Sequence, residues 1–268
     1  MAFLAREGLR YTSIKSYLSG LRFFQIHQNL GNPFGSDLPR LSYVLTGIKR
    51  TQAHAGVKPK PRLPITFDIM ALLHKQWHTL RDPDVTVLWA AACIGFFGWL
   101  RIGEFTVPSM EAYDPDVHLN LADVAVDNHT EPSVIGLRIK QSKTDPFREG
   151  VTIYLGATGK DICPVKALLA YIAIRPPDPG PLLLTQSGQP LSRQMLVSRL
   201  QKAVANAGLN SDHFNGHSFR IGAATSAAKN GIEDSLIQTM GRWKSSAYKL
   251  YIKLPKDQLA CVSKVLAS

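Results

Sequence analysis

Residues 121–155, LADVAVDNHTEPSVIGLRIKQSKTDPFREGVTIYL, decide the fold class. Three short runs, 121–126, 134–139 and 151–155, are rich in β-branched residues and separated by Asp, Asn, Pro and Gly, the composition of turns. They predict a three-stranded antiparallel sheet. On both sides the apolar period turns helical. Upstream, 12–28 places Ile14, Tyr17, Leu18, Leu21 and Phe24 on one stripe, and 41–48 continues with Leu41, Val44, Leu45 and Ile48. Thr66 can cap a helix to about Leu80, and 85–99 is apolar enough to form a buried helix ending near Gly98. Downstream, helices are expected over 164–174, 192–207, 218–229, 233–240, 246–252 and 257–267. The fold class is mainly α with one small antiparallel sheet.

With 268 residues, 45% of them hydrophobic and 19% charged, the chain can bury a core and is not of disordered composition. No apolar run approaches the roughly 20 residues that span a bilayer, so no membrane role is expected. Charges scattered through residues 1–25 leave no apolar leader, and secretion is not indicated. Cys93, Cys163 and Cys261 lie far apart and outside any CxxC pattern, as small buried thiols in a reducing compartment do.

The net charge of +11 is uneven: residues 1–64 carry ten Lys and Arg against Glu7 and Asp37, while the rest of the chain carries +3. A cationic segment this dense suits a polyanion, because each cation placed on a phosphate releases condensed counterions. Arg6, Arg10, Lys15, Arg22, Lys49, Arg50, Lys58 and Lys60 are its candidate contacts. The stretch 52–64, QAHAGVKPKPRLP, interrupts the apolar period with prolines and cations and reads as a linker. It divides a basic helical domain, 1–51, from a larger domain, 65–268.

Candidate chemistry concentrates in Gly216-His217-Ser218-Phe219-Arg220, which opens a predicted helix. Residues i and i+3 share a helix face, so His217 and Arg220 point together beside the positive end of the helix, where an anion is the natural guest. Arg101 directly follows the most apolar helix, where a partner is expected, and Glu104 at i+3 could hold it. Lys143 sits on the turn after the middle strand. Trp243 could supply an indole N–H, and Tyr248 and Tyr251 follow it in one short helix. A phenol, three cations and an imidazole compose a phosphoryl-transfer site without a metal ligand set. His74 and His78 are i,i+4, but the Glu of HExxH is missing; no Gly-rich nucleotide loop is present, and His213 reads as structural.

In chain order, Arg101, Lys143, His217-x-x-Arg220, Trp243 and a tyrosine resemble the tyrosine recombinase (phage integrase) family. The phrases GWLRIGEF, SKTD, GHSFRIGAAT, GRW and AYKLYI are similar to its local sequences over about 65–268, and the ending GRWKSSAYKLYIK is most like the recombinases of eukaryotic DIRS and Crypton elements. The resemblance implies a catalytic domain preceded by part of a helical core-binding domain, with the chain starting partway through the latter. It also implies DNA cleavage through a 3′-phosphotyrosyl link. Tyr251 would attack, Arg101 and Arg220 would hold the nonbridging oxygens, and Lys143 would protonate the leaving 5′-hydroxyl. His217 would move a proton, Trp243 would bond phosphate, and Glu104 would orient Arg101. No metal or cofactor is implied. The implied partner is double-stranded DNA, held by a homo-tetramer on two sites with a monomer as the free form, in the nucleus of a eukaryote or otherwise in the cytoplasm.

The sequence departs from the family pattern at two places. Trp243 stands where most members have His, and Tyr251 lies eight residues after it, one fewer than in bacterial and phage relatives, which leaves Tyr248 as a competing nucleophile. A catalytically inactive, domesticated DNA-binding descendant is therefore the alternative, and a type IB topoisomerase-like enzyme a third reading. The amphipathic run 259–266 could dock on a neighbouring subunit or fold back on its own domain.

Overall fold

The computed structural model describes residues 1–35, 38–56, 61–79, 82–143, 145–177 and 179–253. The chain divides into two compact units, Met1–Lys60 and Pro61–Ser268.

The first unit consists of α1 (Ala2–Arg6), α2 (Tyr11–His27) and α3 (Pro39–His54). Helix α1 carried no strong sequence signal, and α3 continues three residues into the stretch expected as linker. Those residues include Gln52, whose amide joins the ends of two elements: its Oε1 accepts from Tyr11 N at 2.8 Å and its Nε2 donates to Leu9 O at 2.8 Å. The stripe expected on α2 is only partly covered. Ile14 is fully buried, whereas Tyr17, Leu21 and Phe24 remain exposed, because α1 and α3 offer α2 little surface.

The second unit begins with α4 (Phe67–Thr79) and α5 (Val85–Phe97). Then come β1 (Val124–Val126), β2 (Val134–Ile139) and β3 (Val151–Gly156), followed by α6 (Pro164–Ile174), α7 (Arg193–Asn206), α8 (Gly216–Lys229) and α9 (Asp234–Met240). The sheet is antiparallel in the order β1-β2-β3, with Leu137 opposite Val124 on one side and Ile153 on the other. Ile135, Leu137, Ile153 and Leu155 face the core. Helix α5 is buried from Val87 through Phe96 and packs against α4, α6, α7 and α8, which explains a composition apolar on every side. Cys93 and Cys163 are buried free thiols, and Cys261 lies outside the described residues. Among the described residues no helix is long and apolar enough to cross a membrane.

Two expected elements change form. Residues 121–123 make a 3-10 turn instead of strand: Asn120 accepts from Ala122 N, and its own N–H donates to Asp123 at 2.9 Å in each case. Side chains that satisfy the local backbone compete with a ladder, so pairing starts at Val124. Likewise the helix expected over 246–252 is a 3-10 turn, Ser246–Leu250, capped by Ser245. The expected helix 257–267 and the run 259–266 lie outside the described residues.

A short strap enters this unit ahead of α4. Leu63 N donates to His213 O and Ile65 N to Ser218 O, both at 2.9 Å, so the strap crosses α8 at close range. A Cβ on Gly222 would lie 1.7 Å from the Ile65 carbonyl oxygen. By contrast Gly20, in the interior of α2, has no atom within 4 Å of the corresponding position. Gly222→Ala should therefore destabilise the protein by about 3 kcal/mol. Gly20→Ala should stabilise it by about 1 kcal/mol through helix propensity. Denaturant unfolding of the two variants checks both signs.

Candidate active site

Two helices end in the same way, and their ends form the floor of the site. Helix α5 stops at Gly98 and turns through Trp99 at φ 53°; α9 stops at Gly241 and turns through Arg242, also at φ 53°. Each exit closes with the paired hydrogen bonds of a left-handed cap: Trp99 N to Phe96 O and Leu100 N to Gly95 O in one, Arg242 N to Thr239 O and Trp243 N to Gln238 O in the other. The glycines precede the strained residues because room is short there. A Cβ on Gly98 would meet Ile94 O at 2.6 Å, and one on Gly241 would meet the Trp243 ring at 1.6 Å.

Arg220 lies between these exits. Helix α8 starts at Gly216 rather than Ser218, because Asn215 caps it: Asn215 accepts from His217 N at 2.9 Å, and Ser218 Oγ accepts from Asn215 N at 3.0 Å. One turn in, Arg220 is 1% exposed. Its Nη1 donates to Trp99 O at 2.7 Å, its Nη2 donates to Gly241 O, and its Cζ sits 4.5 Å from the Trp243 ring centroid. Its Nε has no partner among the described residues. Burial, then the charges of Arg101 and Arg242, lowers the Arg220 pKa to about 9.

Arg101 caps the 3-10 turn Ile102–Glu104. Its backbone N–H donates to Glu104 Oε2 at 2.9 Å and its Nη1 to Glu104 Oε1 at 3.0 Å. Glu104 also accepts from Arg242 Nη2 at 2.7 Å, and its side chain is 5% exposed. One carboxylate thus binds two guanidiniums from loops far apart in sequence. His217, half-buried, is held below the ordinary histidine value by burial first and then by the charges of Arg62, Arg193, Arg220 and Arg101.

Trp243 links the cations to the two phenols. Its ring is 4.9 Å from Tyr251, 6.3 Å from Tyr248 and 6.1 Å from Trp99. The phenols differ sharply. Tyr248 is 5% exposed and its hydroxyl donates to Asp234 at 2.9 Å; burial, then Asp234, pushes the phenol up. Tyr251 is half-buried, and its carbonyl accepts from Thr225 Oγ1 on α8 at 3.2 Å. Lys143 is exposed on the β2–β3 turn; its neighbours Ser142 and Asp145 line a cavity of about 610 Å³ together with Arg242 and Trp243.

The other sequence candidates fall elsewhere. Arg6, Arg10, Lys15, Arg22, Lys49 and Arg50 are exposed on the first unit, with Lys49 Nζ 5.8 Å from the Tyr11 ring centroid; Lys58 and Lys60 lie outside the described residues. His74 and His78 stack 4.1 Å apart beside Trp89, and among the described residues no group of three or more His, Cys, Asp or Glu could hold a metal ion. His213 Nδ1 is 2.8 Å from Pro61 O, which fixes the strap. Sequence reasoning missed Arg242. Its signal was present inside the quoted GRW, but its partner stands 138 residues away.

Residues 131–254 match the model of the phage integrase family, a span that starts ahead of β2 and includes Lys143, His217, Arg220, Trp243 and Tyr251. No curated protein matches the chain. Among solved structures, the Tn1549 transposon integrase in complex with circular intermediate DNA is similar at 16% identity and TM-score 0.61, covering all of this chain and 83% of that one. The XerA recombinase is similar at 15% identity and TM-score 0.56, covering 97% and 83%. XerH site-specific recombinase, bound to its difH substrate in a post-cleavage complex, matches at 15% identity and TM-score 0.57, with 78% of this chain covered. This chain spans about half, 54%, of the XerH chain. The helical second unit with its three-stranded sheet therefore has the fold of tyrosine recombinase catalytic domains.

Removing the central carboxylate should strand two guanidiniums at once. Glu104→Ala is expected to cost about 3 kcal/mol or more of stability, as breaking a buried ion pair does. Chemical denaturation against wild type measures it.

Proposed function

We propose that the chain cuts and rejoins DNA through a covalent 3′-phosphotyrosyl intermediate. The observation that carries the reading is the contact of Tyr251 with Trp243, which lies on Arg220 beside the Arg101–Glu104–Arg242 cluster. A nucleophile next to a bank of cations is what a phosphodiester requires, since its transition state spreads negative charge over nonbridging oxygens.

In this reading the Tyr251 oxygen attacks the scissile phosphorus, a Tyr–O–P bond forms and the P–O5′ bond breaks. Lys143 gives a proton to the leaving 5′-oxygen, which departs as a hydroxyl, and His217, neutral near pH 7, accepts the phenol proton. Arg101 and Arg220 hold the nonbridging oxygens, with the Trp243 indole as a further donor. The phosphotyrosine conserves the broken bond, so a second 5′-hydroxyl reverses the step and reseals the strand. Residues 1–51 act as a core-binding segment whose exposed cations follow the phosphates, 52–64 as linker and 65–268 as catalytic domain. A homo-tetramer pairs two duplex sites, with a monomer as the free form; the likeness of GRWKSSAYKLYIK to recombinases of DIRS and Crypton elements supports a mobile-element source, working in the nucleus of a eukaryote or otherwise in the cytoplasm.

One observation favours a second reading, DNA binding without cutting. Both Nη atoms of Arg220 donate to backbone carbonyls and the residue is 1% exposed, so its guanidinium is committed to the protein interior. Covalent trapping separates the two. Wild type incubated with a pool of nicked duplexes randomised across the cut site should give a denaturant-resistant adduct that Tyr248→Phe retains and Tyr251→Phe loses. Loss in Tyr248→Phe alone reassigns the nucleophile, and salt-sensitive binding without adduct supports the noncatalytic reading.

The pH dependence follows from His217. Its folded pKa lies below 6.5, so the neutral ring persists as pH falls through the ordinary histidine range and protonates only further down. Adduct formation should hold its rate down to pH 6.5 and fall below it, a limb that His217→Gln removes from the pH–rate profile.

A further inference from the structure

Arg242 is a largely covered cation that the strand-cutting scheme leaves without a role. Its side chain is 14% exposed, one Nη bonds Glu104, and its Nε and other Nη have no partner among the described residues. Its backbone is in the left-handed region at φ 53°, between the glycine whose carbonyl accepts from Arg220 and the tryptophan that covers Arg220. A long cation in such a backbone position needs a compensating interaction, and the pair with Glu104 supplies one.

We infer that Arg242 is a positioning residue for the scissile phosphate, acting through Glu104 on Arg101; the inference rests on the strand-cutting reading above. Two arguments carry it. The first is charge: Arg101 paired with Glu104 alone is neutral and would exert little pull on an oxyanion. Sharing the carboxylate with Arg242 leaves the trio at +1, so Arg101 keeps its attraction while remaining oriented. The second is geometry: the Glu104–Arg242 bond joins the loop that carries Arg101 to the loop that carries Trp243, across 138 residues of chain. Arg220 bridges the same two loops through Trp99 O and Gly241 O. The bridge set by Arg220 depends on backbone, and that set by Arg242 on a side-chain charge, which fixes the tilt of Arg101 within the site.

The test uses the full chain and a sequence selected from the randomised pool by wild-type adduct formation, synthesised with either a phosphodiester or a methylphosphonate at the cut site. Methylphosphonate removes the charge that Arg101 serves. Asn tolerates positive φ, so Arg242→Asn keeps the loop while deleting the guanidinium. On the phosphodiester it should slow adduct formation about 100-fold with duplex Kd unchanged, as a small misplacement at the reacting centre does. Arg242→Lys should recover part of the rate. On the methylphosphonate the gap between Arg242→Asn and wild type should shrink to a few-fold. Equal losses on both substrates, or a rate equal to wild type on the phosphodiester, overturn the inference and leave Arg242 as structural support. Failure of wild type to form any adduct overturns the strand-cutting reading itself, and this inference with it.

Discussion

The second unit is organised by the problem of keeping several positive charges together in an apolar protein. Arg101, Arg220 and Arg242 converge where α5, α8 and α9 meet, and the Glu104 carboxylate is the acid among them. Like charges at this spacing repel strongly once water is excluded, and each guanidinium carries its own desolvation cost. The carboxylate offsets part of this. Backbone carbonyls at two helix ends, oriented with their negative dipoles toward Arg220, offset more. What stays unbalanced is a positive potential that a bound anion would neutralise.

The architecture supplies those carbonyls by using one device twice. Two helices of different composition both end with glycine followed by a residue in the left-handed region, and both exits turn toward the same arginine. The exit of the buried helix α5 is surrounded by other helices, whereas that of the short α9 is also closed by Gln238, which donates to the Trp243 carbonyl at 3.0 Å. The aromatic cover, Trp243, thus sits on the exit of the shorter helix.

Much of the fold could be read from the sequence because its signals are local. Strand β2 spans 134–139 and α6 spans 164–174, as apolar period and flanking turns imply. The errors arise where a side chain competes with the backbone: Asn120 and Asp123 shorten β1, Asn215 starts α8 earlier, and Ser245 tightens a helix to a 3-10 turn. The site was legible as residue types in an order, but not as contacts. Nothing local tells that Arg242 reaches Glu104, that Arg220 is buried beneath Trp243, or that Tyr248 is bound to Asp234 while Tyr251 is not. The open face of α2 escaped for the opposite reason: an apolar stripe announces that something should cover it without saying whether this chain does.

The strap that crosses α8 changes how its sequence signature should be interpreted. Within GHSFRIGAAT, Ser218 accepts from the strap and caps the helix, and Gly222 leaves the space the strap needs, while His217 and Arg220 face the charge cluster. Packing requirements and, in the strand-cutting reading, chemical ones are therefore interleaved in one ten-letter word. A lineage that abandoned the chemistry but kept the fold would drift first at His217, hold Ser218 and Gly222, and hold Arg220 as well, because its guanidinium joins two helix ends. In such a lineage the arginine would persist as a relic of architecture, and the histidine would be the first letter to fall silent.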